Sequence, residues 1–342
     1  MGYYYWIVFA GSTESALPEA ISAQTFKTLN LSAQIPAPNL KRFEKWSDIY
    51  GLCALNEDVV LLASSQNGLD TISLSSQLRS RLDHSGPEQV SQVAFDESTE
   101  TLLLVAKARN SMLEMANQIS LVSLRREANK WVKVDAFHIA TYSLGDLQLV
   151  VCNSRVLLGH SGEEKLQAFN VTAEQSLRPF GTVLLHNRFR HFACTRITSF
   201  VPVSTATPAG QIQTDIYNID TIIALSREKS VSLHRLVGIK LEPLAVIGLS
   251  DPQWLLFRED LLLVAERNID SDTHTILSFI ATGRQLTPHR QFLDSSSNVD
   301  LAVWCLVGDR LVVRNSKSKG LLIYDFQWVE VDNISIIFRL YF

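Results

Sequence analysis

The sequence predicts an all-β fold, a closed ring of repeated four-stranded antiparallel sheets, and three observations predict it. Apolar runs of about four to eight residues, rich in Val, Ile, Leu and aromatics and bounded by Gly, Asn, Asp, Ser and Pro, recur along the chain; that is the grammar of strands rather than helices. The runs come in pairs about a polar or charged hinge, most clearly in DRLVVRNSKSKGLLIYDF, Asp309 to Phe326. The pairs return every roughly 40 to 65 residues, close to the period at which four-stranded units repeat in ring-shaped proteins.

Taken in order, the first pair is YYWIVFAGSTESALPEAISAQTF, Tyr4 to Phe26. Its apolar start is read as a strand, because a secretory segment carries a basic region that is missing here. The others are Asp58 to Leu74, Thr101 to Leu124, Ser154 to Val171, Ile219 to Leu236, Glu259 to Ile280 and Asp309 to Phe326. Their inner runs are apolar on consecutive residues, as expected of strands covered on both faces. Runs ahead of the pairs (VSQVAF, LQLVV, FACTRITSFVPV, QWLLF, LAVWCLV) and behind them (WVKVDAF, FGTVLL, LEPLAVI, QWVEV) supply two more strands per unit. The stretch STATPAGQIQTDIYN, Ser204 to Asn218, reads as a long polar insertion and a candidate contact, since long insertions in compact folds are often functional.

Composition limits the class. With 342 residues and 46% hydrophobic content the chain can bury a substantial core, and no run of 18 or more apolar residues spans a bilayer. The four cysteines, Cys53, Cys152, Cys194 and Cys305, lie far apart inside apolar runs, which suits reduced, buried thiols and a cytoplasmic or nuclear location.

The units resemble the WD40-like β-propeller superfamily in a degenerate form, over nearly the whole chain. SKGLLIYDF comes closest to its pattern, with Gly320 in the turn and Tyr324-Asp325 in the place of the Trp-Asp dipeptide; EKSVSLHRL and QNGLDTISL keep the strand and lose the dipeptide. The resemblance implies a single domain over residues 1–342 with seven blades of four strands. The first blade, residues 4–48, lacks a strand, and the C-terminal run at 335–342 is expected to complete it and close the ring; the other blades fall at about 49–334.

The resemblance also implies that the turn inside each pair and the link between blades share one face of the disc. Basic residues collect in those segments: Lys107 and Arg109, Arg227 and Lys229, Arg267, then Arg314, Lys317 and Lys319. The link HNRFRHF adds Arg188, Phe189 and Arg190, flanked by His186 and His191. Arg188, Phe189, Arg190, Arg227, Lys229, Arg314, Lys317 and Lys319 are therefore the expected partner-binding set. A basic rim with an aromatic suits an acidic or phosphorylated protein segment. An overall pI of about 6.1 opposes the basic footprint that a nucleic-acid partner would want.

Catalytic chemistry is thinly supplied. G-x-S-x-G, H-E-x-x-H and G-x-x-x-x-G-K-[ST] are all missing from the sequence. Asp270, Asp272 and His274 form the most metal-like cluster and are read as a polar turn, as are His160, Ser161 and Glu163. The expected role is a non-enzymatic interaction scaffold or adaptor subunit without cofactor or metal. The competing classes are an enzyme acting through the central channel and a nucleic-acid or chromatin-associated subunit.

Overall fold

The paired apolar runs fold as hairpins, and each hairpin forms the middle of a four-stranded sheet. The computed structural model describes residues 24–35, 49–64, 68–86, 89–107, 119–139, 147–152, 154–207, 210–268, 273–282, 285–295, 299–315 and 320–330. The chain enters through β1 (Gln24–Ile35) and then makes β2 (Ile49–Ala54), β3 (Val59–Ser64), β4 (Gly68–Ser73) and β5 (Arg79–Arg81), which are blade 1. Blade 2 is β6 (Gln89–Asp96), β7 (Thr101–Lys107), β8 (Ile119–Glu127) and β9 (Lys130–Ile139). Blade 3 is β10 (Leu147–Cys152), β11 (Arg155–His160), β12 (Lys165–Val171) and β13 (Leu177–Leu184). Blade 4 is β14 (His191–Thr207), β15 (Gly210–Ser226), β16 (Ser230–Val237) and β17 (Lys240–Gly248). Blade 5 is β18 (Pro252–Arg258), β19 (Leu261–Asn268), β20 (Thr273–Thr282) and β21 (Gln285–Ser295). Blade 6 is β22 (Val299–Val307), β23 (Arg310–Asn315) and β24 (Leu321–Glu330), with β1 as its fourth strand.

The ring therefore has six blades, not the seven the sequence predicts. The innermost strands follow one another around the axis, and β22 of the last blade packs directly on β2 of the first, leaving no place for another blade between them. One apolar cluster joins Leu52, Val60 and Ile72 of blade 1 to Val303, Cys305 and Val312 of blade 6. Of the supposed seventh unit, Tyr4 to Phe26, only its last three residues are described, and they begin β1.

Closure is also corrected. The first blade already holds four strands, and the N-terminal strand closes the ring: β1 pairs antiparallel with β24 from Gln24↔Glu330 to Ile35↔Leu321. Residues 335–342 lie outside the described residues. The reason lies in QWVEV, which the sequence suggests as a separate outer strand. No Gly, Asn or Pro interrupts the run after Tyr324, so the strand continues unbroken from Leu321 to Glu330, and the outer position is left for β1.

Consecutive apolar residues in the middle strands are explained by the stacking of blades. All of Leu102 to Val105 in β7 are inaccessible, alternate residues facing blade 1 and blade 3. Each such Leu contributes roughly 1.5–3 kcal/mol by leaving water. Six apolar clusters of this kind fill the six seams. The outer strands β13 and β17 are mostly exposed, because nothing covers their rims.

The expected insertion at Ser204 to Asn218 is not a loop. Strands β14 and β15 run on beyond the blade as a two-stranded ribbon, paired in register from His191↔Ser226 to Thr207↔Gly210.

Candidate functional site

In each blade the chain passes outward from the axis as an antiparallel meander. The start of the innermost strand, the turn between the second and third strands, and the exit to the next blade therefore lie at one end. This end is the linker face. It carries the connector between β13 and β14, residues 185–190, and the β15–β16 turn, Arg227 to Lys229.

The structure gathers part of the expected basic set at the seam between blades 3 and 4. Arg188 and Lys229 are exposed, and Arg227 is half-buried. The connector and the turn are tied together, since the Arg190 amide donates to the Ser226 carbonyl (2.9 Å). The Arg190 guanidinium is engaged, ion-paired with Asp251 of the next connector, a residue only 8% exposed. Arg314 lies apart, at the end of β23, and donates to the Ile49 carbonyl across the closure seam. Lys317 and Lys319 fall outside the described residues.

Phe189 does not present an aromatic surface. It is 1% exposed and packs edge-on against Phe192, with ring centroids 5.6 Å apart. Alternation along the connector explains this: Leu185 and Phe189 turn into the core while His186 and Arg188 turn out. Gly159 makes room for the pair, because a Cβ there would lie 2.7 Å from Phe189 Cζ and 2.6 Å from Leu166 Cδ2.

His234 is the member of this seam that the sequence does not announce. In the β15–β16 register it sits opposite Ile223, and it shares a sheet face with Leu225, Ser232 and Leu236 toward blade 3. It is 7% exposed, and its Nε2 lies 2.9 Å from Ser232 Oγ. Burial lowers its pKa to about 4, helped by Arg227 and His186, so the ring is neutral near pH 7. A histidine among the apolar residues of SVSLHRL is the one signal that could have drawn attention to it.

The axis of the ring holds a cavity of about 930 Å³ bordered by the six innermost strands. Each of these strands has one edge without a strand partner, and polar side chains from a neighbouring blade satisfy part of those edges. Gln148 of β10 accepts from the Phe192 amide (3.0 Å) and donates to the Arg190 carbonyl (2.6 Å). Gln92 of β6 donates to the Tyr50 carbonyl (3.3 Å), and His191 Nδ1 accepts from the Leu255 amide (3.2 Å). Burial brings the His191 pKa down to about 4. These contacts make the polar residues at the channel wall clamps between blades.

All four cysteines lie on innermost strands and are unbridged. Burial pushes the Cys53 thiol up to about 12 and that of Cys305 well above the ordinary range. Cys152 and Cys194, on adjacent strands, share a hydrogen bond that holds the first below and the second above its usual value. Asp270 and Asp272 lie outside the described residues, and His160 Nδ1 sits 2.9 Å from the Ser161 carbonyl. Among the described residues no three His, Cys, Asp or Glu side chains are placed to hold a metal ion.

No protein-family model matches the chain, and no curated protein matches it either. Solved structures do. A chain of the mitotic checkpoint complex is similar over 95% of this chain and 99% of its own, at 13% identity and a TM-score of 0.50. A functionally unknown protein from Desulfotomaculum acetoxidans matches over 84% and 86%, at 12% identity and a TM-score of 0.52. The periplasmic gluconolactonase of Pseudomonas aeruginosa matches over 85% and 87%, at 12% identity and a TM-score of 0.51. At such identities the likeness concerns the fold alone, and with the closed ring of radial sheets it establishes this chain as a β-propeller.

Proposed function

We propose that this protein is a non-enzymatic interaction platform, an adaptor or scaffold subunit that binds an acidic or phosphorylated protein segment on its linker face. The observation that carries the reading is the grouping of Arg188, Arg227 and Lys229 at one seam, on connectors that a rigid ring holds in place. Similarity to a chain of a multiprotein assembly supports partner binding as a use of the fold. Location in the cytoplasm or nucleus belongs to the same proposal and is supported by four unbridged thiols.

The test is binding to an array of acidic and phosphorylated peptides, with the wild type compared with an Arg188→Glu, Lys229→Glu double variant. Arg190 is left alone because its guanidinium holds Asp251. The expected result is a discrete set of peptides that the variant binds at least tenfold more weakly while its melting curve is unchanged. Equal binding by both forms would falsify the reading. Lactone hydrolysis by the wild type, lost in His191→Gln, would move the function to the channel.

A further inference from the structure

The seam between blades 3 and 4 contains two polar atoms that the protein leaves unanswered. Arg227 Nε and His234 Nδ1 are both buried, and neither has a hydrogen-bond partner among the described residues. A buried polar atom without a partner is costly, more so when charged, and native proteins keep few of them. The two share one sheet face: Arg227 continues the face of β15 that carries Ile223 and Leu225, His234 and Ser232 lie on the same face of β16, and Arg227 bears electrostatically on the His234 ring. The exposed connector residues His186, Asn187 and Arg188 stand over the seam, with core residues Leu185 and Phe189 beneath.

Resting on the binding-face reading above, we propose that this seam is a notch for a phosphate monoester. Arg227 Nε–H and His234 Nδ1–H donate to phosphoryl oxygens of a phosphorylated segment of a partner protein, and Arg188 and Lys229 hold the charge at the lip. The assignment takes Ser232 Oγ–H as donor to His234 Nε2, which leaves the proton on Nδ1. Two buried donors and two exposed cations suit a tetrahedral dianion, whose three terminal oxygens point in different directions. A side-chain carboxylate offers only two oxygens in one plane. Arg227 and His186 bear electrostatically on His234, and the acids close to the lip in the chain are Glu228, exposed between Arg227 and Lys229, and Glu163 and Glu164 of the turn tied to the connector.

The experiment is a titration of the full chain, labelled with ¹⁵N in its histidine rings, by inorganic phosphate and then by phosphorylated peptides selected from the array. The free protein is expected to show His234 as the neutral Nδ1–H tautomer. Phosphate should move His234 and His186 saturably and leave His138 still; acetate at equal ionic strength should do neither. Arg227→Gln should weaken phosphate at least tenfold, and Arg126→Gln, a change to an exposed arginine of blade 2, should not. A His234 resonance that ignores phosphate, an Nε2–H tautomer, or an equal response to acetate overturns the proposal, and these readings on the wild type do not depend on any variant folding. Should Arg188→Glu, Lys229→Glu still abolish peptide capture while His234 stays silent, the notch fails and the platform stands.

Discussion

His191, half-buried at the channel wall, and His234, buried in its seam, are held as neutral rings, and that has a consequence for acid stability. Both have pKa values near 4 in the folded protein, whereas in the unfolded chain they titrate near the ordinary 6.5. Between those values the unfolded state binds more protons, so stability is complete above about pH 6.5 and falls as pH drops toward 4. The loss should be on the order of 2–3 kcal/mol for each ring once pH 4 is reached. Urea unfolding at pH 7.0, 5.5 and 4.5 measures it. His191→Gln, which keeps an acceptor for the Leu255 amide, should show a shallower decline, and an identical decline would remove His191 from the account. Gly159 makes a second prediction at this scale. A methyl group there meets Leu166, Phe189 and Phe192 at under 3 Å, so Gly159→Ala should cost about 1–3 kcal/mol by overpacking, read from the urea midpoint.

At the scale of elements, β1 has the largest consequence. It pairs along the whole of β24 although some 300 residues separate them, and among the described residues it is the strand of blade 6 that the N-terminal part of the chain supplies. A chain beginning at residue 36 should lose several degrees of melting temperature, since β24 then becomes an exposed edge. An unchanged melting curve would show that β1 contributes nothing to closure. The six middle hairpins were legible in the sequence because apolar, hinge, apolar is a local pattern: β3–β4 and β11–β12 fall inside the quoted pairs, while β7–β8, β15–β16, β19–β20 and β23–β24 turn within them but have strands that run past the quoted ends. The partner of β1 was not legible, because an unpaired apolar strand carries no mark of which sheet edge it will join. The ribbon of β14 and β15 was missed for a related reason. Its Ser, Thr, Ala, Gly and Gln read as loop composition, while continuous cross-strand pairing makes it two strands.

For the whole molecule, the closure seam and the thiols are linked. Cys53 lies on β2 and Cys305 on β22, the two strands that meet where the ring closes. Cys305 is buried and Cys53 half-buried, and their raised pKa values should make both slow to alkylate in the native protein at pH 8. Removing β1 loosens blade 6 and should speed labelling of Cys305 and Cys53 before that of Cys152, as followed by mass spectrometry of iodoacetamide adducts. Uniform acceleration of all four would instead mean that the ring opens as a unit. The binding surface belongs to the same scale, because its residues come from a connector and a turn about 40 positions apart that only the stacking of blades brings together.

By itself the sequence determined the strand content, the hairpin unit and the placing of basic residues in turns, since all three follow from local periodicity and turn chemistry. The tertiary structure decided the number of blades, because that depends on β22 meeting β2 across the whole length of the chain. It also decided which terminus closes the ring and which of the expected contact residues face outward. Phe189 went into the core, Arg190 to Asp251 and Arg314 to a backbone carbonyl, while Arg188 and Lys229 stayed exposed. A residue's type sets what it is able to bind; the blade beside it sets whether that capacity is already used.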